Sequence, residues 1–187
     1  MSSFAFLQTE CPSSLSPDRT GSPANGLPVA TPMKPEVQTL SFDGAILQRG
    51  FWLYVWEITA AGGRTVLYVG RIGDSGSPNA QSPFNRLGQH LGFNIHQNML
   101  RKHLVKAGLT PEECHFALYS YGPILPEGDG WDQHRACLRV IAPLEKALCD
   151  ALQQAGYQVL NEVRGNHELD KRRWETVRQM FAEYFDL

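Results

Sequence analysis

Tyr54, Tyr68, Arg86, His90, Glu145 and Asn161 follow one another along this chain, and their types suit phosphodiester cleavage. That reaction needs a proton acceptor for water, a cation for the charge developing on phosphate, and a carboxylate to hold a divalent metal. A tyrosine with an ordinary pKa of about 10 is a poor base at neutral pH, but a neighbouring cation such as Arg71 or Arg86 favours its phenolate. Histidine, with an ordinary pKa of about 6.5, can relay or donate a proton. An arginine fork pairs with non-bridging phosphate oxygens. A lone carboxylate binds one Mg2+, which still needs water and substrate oxygens to complete its shell.

These side chains are useful only if the fold brings them together. The runs FWLYVWEI (Phe51 to Ile58) and TVLYVG (Thr65 to Gly70) are aromatic and β-branched, and Ala61-Gly62-Gly63 supplies a turn between them. They predict a β-hairpin that sets Tyr54 and Tyr68 on paired strands. Ile72 to Pro83 is rich in Gly, Ser and Pro and reads as a loop. Ser82-Pro83 suits a helix start, after which Phe84, Leu87 and Leu91 share one face and Arg86 and His90, four residues apart, share another. A further helix follows Asn94 and runs to about Ala107, ended by Gly108 and Thr110-Pro111. CHFALYSY (Cys114 to Tyr121) alternates as a third strand does.

From Trp131 to Ala155 the apolar spacing is helical, with Pro143 either opening a new helix or kinking a longer one. Leu138, Ile141 and Ala142 precede Glu145 on one stripe, and Leu148, Cys149 and Leu152 continue it. The carboxylate therefore interrupts a core-facing surface, where an unpaired charge is costly. It requires an arginine partner or a metal. Tyr157 to Asn161 is a short extended piece. A final helix from about His167 to Phe185 places Trp174, Val177, Phe181 and Tyr184 on one side.

At 187 residues, 42% hydrophobic and 19% charged, the chain can bury one sizeable core. Residues 1–37 hold six prolines among many Ser, Thr and Gly, and are expected to form a disordered tail ahead of a domain over residues 38–187. Absence of a long apolar run or a secretion-type leader points to a cytoplasmic protein with no membrane partner. Cys11, Cys114, Cys137 and Cys149 lack C-x-x-C spacing and are expected to be reduced. A zinc set drawn from Cys114, His115, His134 and Cys137 lacks a matching second half.

A net charge of -2 argues against broad, non-specific binding to nucleic acid. Its distribution does not: Ser75 to Pro111 contains no Asp or Glu, while Arg86, Arg101, Lys102 and Lys106 accompany His90, His96 and His103. A second cationic run, Lys171-Arg172-Arg173 with Arg178, lies near the end. Each run is either a solvated helix face or a local phosphate-binding stripe.

Taken together, Trp52-Leu53-Tyr54, Tyr68-Val69-Gly70, Arg86-x-x-x-His90, Glu145 and Asn161 resemble the motifs of the GIY-YIG nuclease family over roughly Phe51 to Asn161. The first triplet stands in place of GIY without its glycine, and the second in place of YIG. The Ile72 to Pro83 loop then stands as an insertion. The resemblance implies a small α+β domain, a three-stranded antiparallel sheet flanked by helices, that hydrolyses DNA with Mg2+ or Mn2+. It implies Tyr54, Tyr68, Arg86, His90 and Glu145 as catalytic residues, with Glu145 as the metal ligand. Gly70, Arg71, Arg101 and Lys102 join Asn161, which orients the substrate or the strand ends, as the substrate-binding set. One active site cuts one strand, so double-strand cleavage implies a homodimer or sequential nicks. The alternative is a DNA-binding or protein-interaction module that keeps this fold without cleavage.

Overall fold

The computed structural model describes residues 37–73, 77–94, 98–165 and 167–187. The chain groups into two units, Met1–Leu40 and Ser41–Leu187, and every element below belongs to the second. Residues 1–36 of the expected tail, with Cys11, lie outside the described residues, as does His96.

The second unit is α+β. Strands β1 (Phe51–Ala60), β2 (Thr65–Arg71) and β3 (Cys114–Leu125) form an antiparallel sheet in the order β2-β1-β3. Helices α1 (Pro83–Leu91), α2 (Met99–Lys106), α3 (Gly130–Gln154) and α4 (Lys171–Ala182) complete it. Strand β1 is central, which explains why its run Phe51–Trp56 is buried and hydrophobic on both faces instead of alternating. Phe51, Leu53 and Val55 pack with Leu67, Val69 and the α3 and α4 residues Leu144, Leu148 and Val177. The intervening Trp52, Tyr54 and Trp56 pack with Tyr68 and with Leu100 and Leu104 of α2.

The hairpin forms as its sequence predicts. Gly63 N–H donates to Ala60 C=O at 2.8 Å, and Gly63 takes φ +80°, a left-handed value that favours glycine. Register then sets Tyr54 opposite Gly70 and Trp56 opposite Tyr68.

Two elements, β3 and α4, differ from their sequence-based expectation, and α3 resolves an alternative that the sequence leaves open. Strand β3 continues past Tyr121 to Leu125, because a register shift between Phe51 and Leu53 lets pairing resume beyond Gly122-Pro123. At Gly122, φ is +152° and a Cβ would run into the Trp52 ring, so glycine is required there for backbone and space alike. Helix α3 is one continuous element with Pro143 inside it. Ile141, Leu144 and Leu148, all fully buried, hold both halves on the same core, which offsets the hydrogen bond that proline removes. Helix α4 is shorter than expected, starting at Lys171 because Asp170 caps it through Arg173 N–H at 3.1 Å.

The piece after α3 has a role that its length concealed. Leu67 N–H donates to Gln158 C=O and Leu160 N–H to Leu67 C=O, both at 2.8 Å. Residues 158–160 thus run parallel to β2 and cover part of its outer edge.

Candidate active site

Tyr54 and Tyr68 share the sheet face beneath α1 and α2, as hairpin alternation requires. The Tyr54 hydroxyl and His90 Nε2 are hydrogen-bonded at 2.7 Å, and both residues are buried. The His90 ring stands edge-on to both tyrosines, with centroid separations of 5.4 Å to Tyr54 and 5.5 Å to Tyr68. Helix α1 can place His90 there because Ser82 Oγ accepts from Asn85 N–H and Pro83 opens the helix, fixing its start. Gly70 is the floor of this arrangement. The Tyr54 ring lies so close over it that a Cβ would overlap the phenol, so a side chain at Gly70 and the Tyr54–His90 bond are incompatible.

Arg86, one turn before His90, lines a small cavity with Tyr54 and Trp56. Its Nη1 donates to Gln89 Oε1 at 2.9 Å, while its buried Nε has no hydrogen-bond partner among the described residues. A cleft of about 410 Å3 lined by Arg86, Gly88, Gln89 and Asn98 opens beside it.

Glu145 is buried, as its place on the apolar stripe predicts, and its partner is Arg71 at the end of β2. Arg71 Nη1 donates to Glu145 Oε2. Glu145 is also close enough to act electrostatically on both tyrosines. The structure therefore brings Tyr54, Tyr68, Gly70, Arg71, Arg86, His90 and Glu145 to one end of the hairpin.

Burial dominates the proton affinities. It pushes the Tyr54 hydroxyl far above the ordinary tyrosine range; Tyr68 and Glu145 add to the shift, and Arg86 opposes it without overcoming it. Tyr68 is pushed up to about 12, by burial first and then by Glu145. Neighbouring cations thus do not produce phenolate here, contrary to the expectation from sequence. His90 moves the other way, lowered to about 4 by burial and then by Arg86. It is neutral at pH 7 and able to accept a proton.

The remaining expected site residues are held elsewhere. Asn161 uses its side-chain amide on β2: Oδ1 accepts from Val69 N–H at 3.0 Å and Nδ2 donates to Val69 C=O at 2.8 Å. It replaces one residue's worth of strand pairing next to Gly70, in keeping with orienting the strand ends. Its backbone carbonyl accepts from Cys149 Sγ, one turn beyond Glu145, which ties this segment to α3. Arg101 pairs with Glu112, donates to Leu91 C=O at 3.3 Å and lies 5.0 Å over the Phe93 ring. It is a joint between α1 and α2. Lys102 is exposed on the same helix.

His103 is not among the site residues expected from the sequence. It stands 5.7 Å from the Tyr68 ring, and burial lowers its proton affinity, helped by Lys106. Its position beside Leu104 on an amphipathic helix was the available signal. Cys114, Cys137 and Cys149 are free thiols. Among the described residues, no group of three or more His, Cys, Asp or Glu side chains is placed to hold a metal, and no helix is long and apolar enough to cross a membrane.

Glu145, paired with Arg71, acts electrostatically on both tyrosines and offers one carboxylate; a Mg2+ held by one carboxylate would take its other oxygens from water and substrate. No protein-family model, curated protein or solved structure matches this chain.

Proposed function

We propose that the chain is a metal-dependent DNA endonuclease of GIY-YIG type. The observation that carries this reading is the hydrogen-bonded Tyr54–His90 pair, set beside Tyr68 and within the electrostatic reach of Arg86 and Glu145. In the Nδ1–H tautomer of His90, the Tyr54 hydroxyl donates to Nε2. It can then pass its proton to neutral His90 while taking one from water, without a free phenolate. Arg86 lines the open cleft beside the pair, where its guanidinium can meet a phosphate oxygen. Glu145 is the residue that would hold Mg2+ or Mn2+, which when bound supplies positive charge at the phosphate and acidifies water. Gly70 and Asn161 act on this site by leaving room for Tyr54 and by fixing the end of β2.

A second reading, a DNA-binding or protein-interaction module without cleavage, is favoured by one feature: Tyr54 retains only 2% of its exposure. Supercoiled plasmid separates the two. Nicking that requires Mg2+ or Mn2+, and that falls about a hundredfold or more in Arg86→Ala and Glu145→Gln while both variants still bind DNA, supports the enzyme. Retention of plasmid without nicking in either metal supports the module. Glu145→Gln protein that nicks at the wild-type rate rejects the role given to this carboxylate.

A further inference from the structure

A cavity of about 500 Å3 lies along the outer edge of the sheet. Strand β3 pairs with β1 alone, so its other side is an edge, and Leu118, Tyr119, Ser120 and Tyr121 line the cavity there. One wall carries Phe42, and the other carries Phe181 of α4 and Tyr184 just after that helix. With Trp52, Tyr119 and Tyr121, six aromatic side chains face the space. Phe42 and Tyr184 remain 44% and 61% exposed, so both walls present aromatic surface to solvent.

The cavity adjoins the candidate active site at three points. Leu118 also lines the small cavity of Tyr54 and Arg86. Trp52 precedes Tyr54 by two residues on β1, about 7 Å along the strand. Phe42 packs on Phe84 of α1, two residues before Arg86, with ring centroids 5.1 Å apart. Asp43 is the one charged residue among those lining the cavity, which therefore repels phosphate and suits a neutral ring. A nucleobase is such a ring, and bases of every identity stack on aromatic side chains. Within a duplex its faces are covered by neighbouring bases, so only a base that is unpaired or turned out of the stack can enter. Resting on the nuclease reading above, we propose that this cavity takes one such base, beside the phosphate that Arg86 meets. The substrate class is then DNA with an unpaired nucleotide at the point of cleavage. A peptide added to the edge of β3 would use the strand's main chain, but it gives no reason for the cavity to adjoin Tyr54 and Arg86.

The test compares three labelled duplexes by fluorescence anisotropy without metal, so that nothing is cut. One is fully paired, one carries a single unpaired adenine, and one has an abasic residue in place of that adenine. The wild type should bind the unpaired adenine about tenfold tighter than the abasic duplex. Tyr184→Ala should lose most of that preference and keep its affinity for the paired duplex. Phe42→Ala repeats the measurement from the opposite wall and covers the case in which Tyr184→Ala does not fold. Equal wild-type affinity for the adenine and abasic duplexes overturns the pocket, whatever the variants do. A preference that survives in both variants assigns the base to another place and overturns it as well. If the wild type shows no preference yet nicks supercoiled plasmid in Mg2+, the nuclease reading stands and the pocket alone falls, which leaves the β3 edge to a peptide. If it neither binds any of the duplexes nor nicks plasmid, the nuclease reading falls with it.

Discussion

Tyr54 on β1 and His90 on α1 share a 2.7 Å hydrogen bond that is buried between strand and helix. Burial drives the two groups apart in proton affinity, the phenol upward and the imidazole downward. Both are therefore neutral at pH 7, and the bond between them joins a proton donor to a proton acceptor without a fixed charge. A relay needs that condition, and so does a buried polar pair that costs little to enclose.

The histidine makes folding sensitive to acid. Its affinity for protons is lowered to about 4 in the folded state, against an ordinary 6.5. Between those values the unfolded chain binds more protons, so stability rises with pH across this window. The contribution is intact above about pH 6.5 and is lost as pH falls through about 4, with a full span on the order of 3 kcal/mol. Urea unfolding midpoints measured from pH 4 to 7 should fall on acidification in the wild type and flatten in His90→Phe. Equal pH slopes in the two proteins would show that His90 is not the group responsible.

Gly70 tests the packing beneath the pair. Alanine there overlaps the Tyr54 phenol, and overpacking of this kind costs about 1 to 3 kcal/mol. The penalty should largely vanish in a Tyr54→Ala background, because the atoms that meet the new methyl are gone. A double-mutant cycle by urea denaturation measures this coupling. Additive effects would mean that Gly70 is required for some other reason.

Asn161 should behave as a piece of backbone. Its Oδ1 and Nδ2 satisfy Val69 N–H and C=O, so Asn161→Ala leaves both groups of a buried strand residue without that partner. The expected loss is about 1 to 3 kcal/mol for stranded polar groups. Faster amide exchange at Val69 and Leu67, with the far end of β1 unaffected, would locate the loss at this edge. A variant as stable as the wild type would contradict the edge role.

Much of this site is legible in the sequence because period and residue type survive folding unchanged. Strand alternation puts Tyr54 and Tyr68 on one face, Arg86 and His90 are one helical turn apart, and the apolar stripe around Glu145 marks it as buried and in need of a counter-charge. The partner is not legible, since Arg71 is 74 residues away and is chosen by how α3 crosses the end of β2. The protonation of the tyrosines is hidden for a related reason: depth of burial, which outweighs Arg86, is a property of the packed layers and not of neighbours in the chain. The partner of Asn161 is hidden because residues 158–160 are too short to show a period, and its side chain imitates a strand that the sequence does not spell.

The acid-free stretch divides once its partners are visible, and that changes which cations should meet DNA. Arg101 is occupied by Glu112, Leu91 and Phe93, so Arg101→Ala should loosen the α1–α2 joint and lower thermal stability. Lys102 and Lys106 are exposed on α2, whose His103 approaches Tyr68, which places both near the proposed cleavage site. Each lysine that neutralises a phosphate contributes about 0.9 to the slope of log affinity against log salt on duplex DNA. Replacing both with alanine should therefore flatten that slope by up to about two units, while stability changes by only about half a kcal/mol. Fluorescence anisotropy of a labelled duplex across a salt series measures the slope. If it is unchanged in the double variant while Arg101→Ala alone weakens binding, the lysines belong to a solvated face and the arginine acts through the fold.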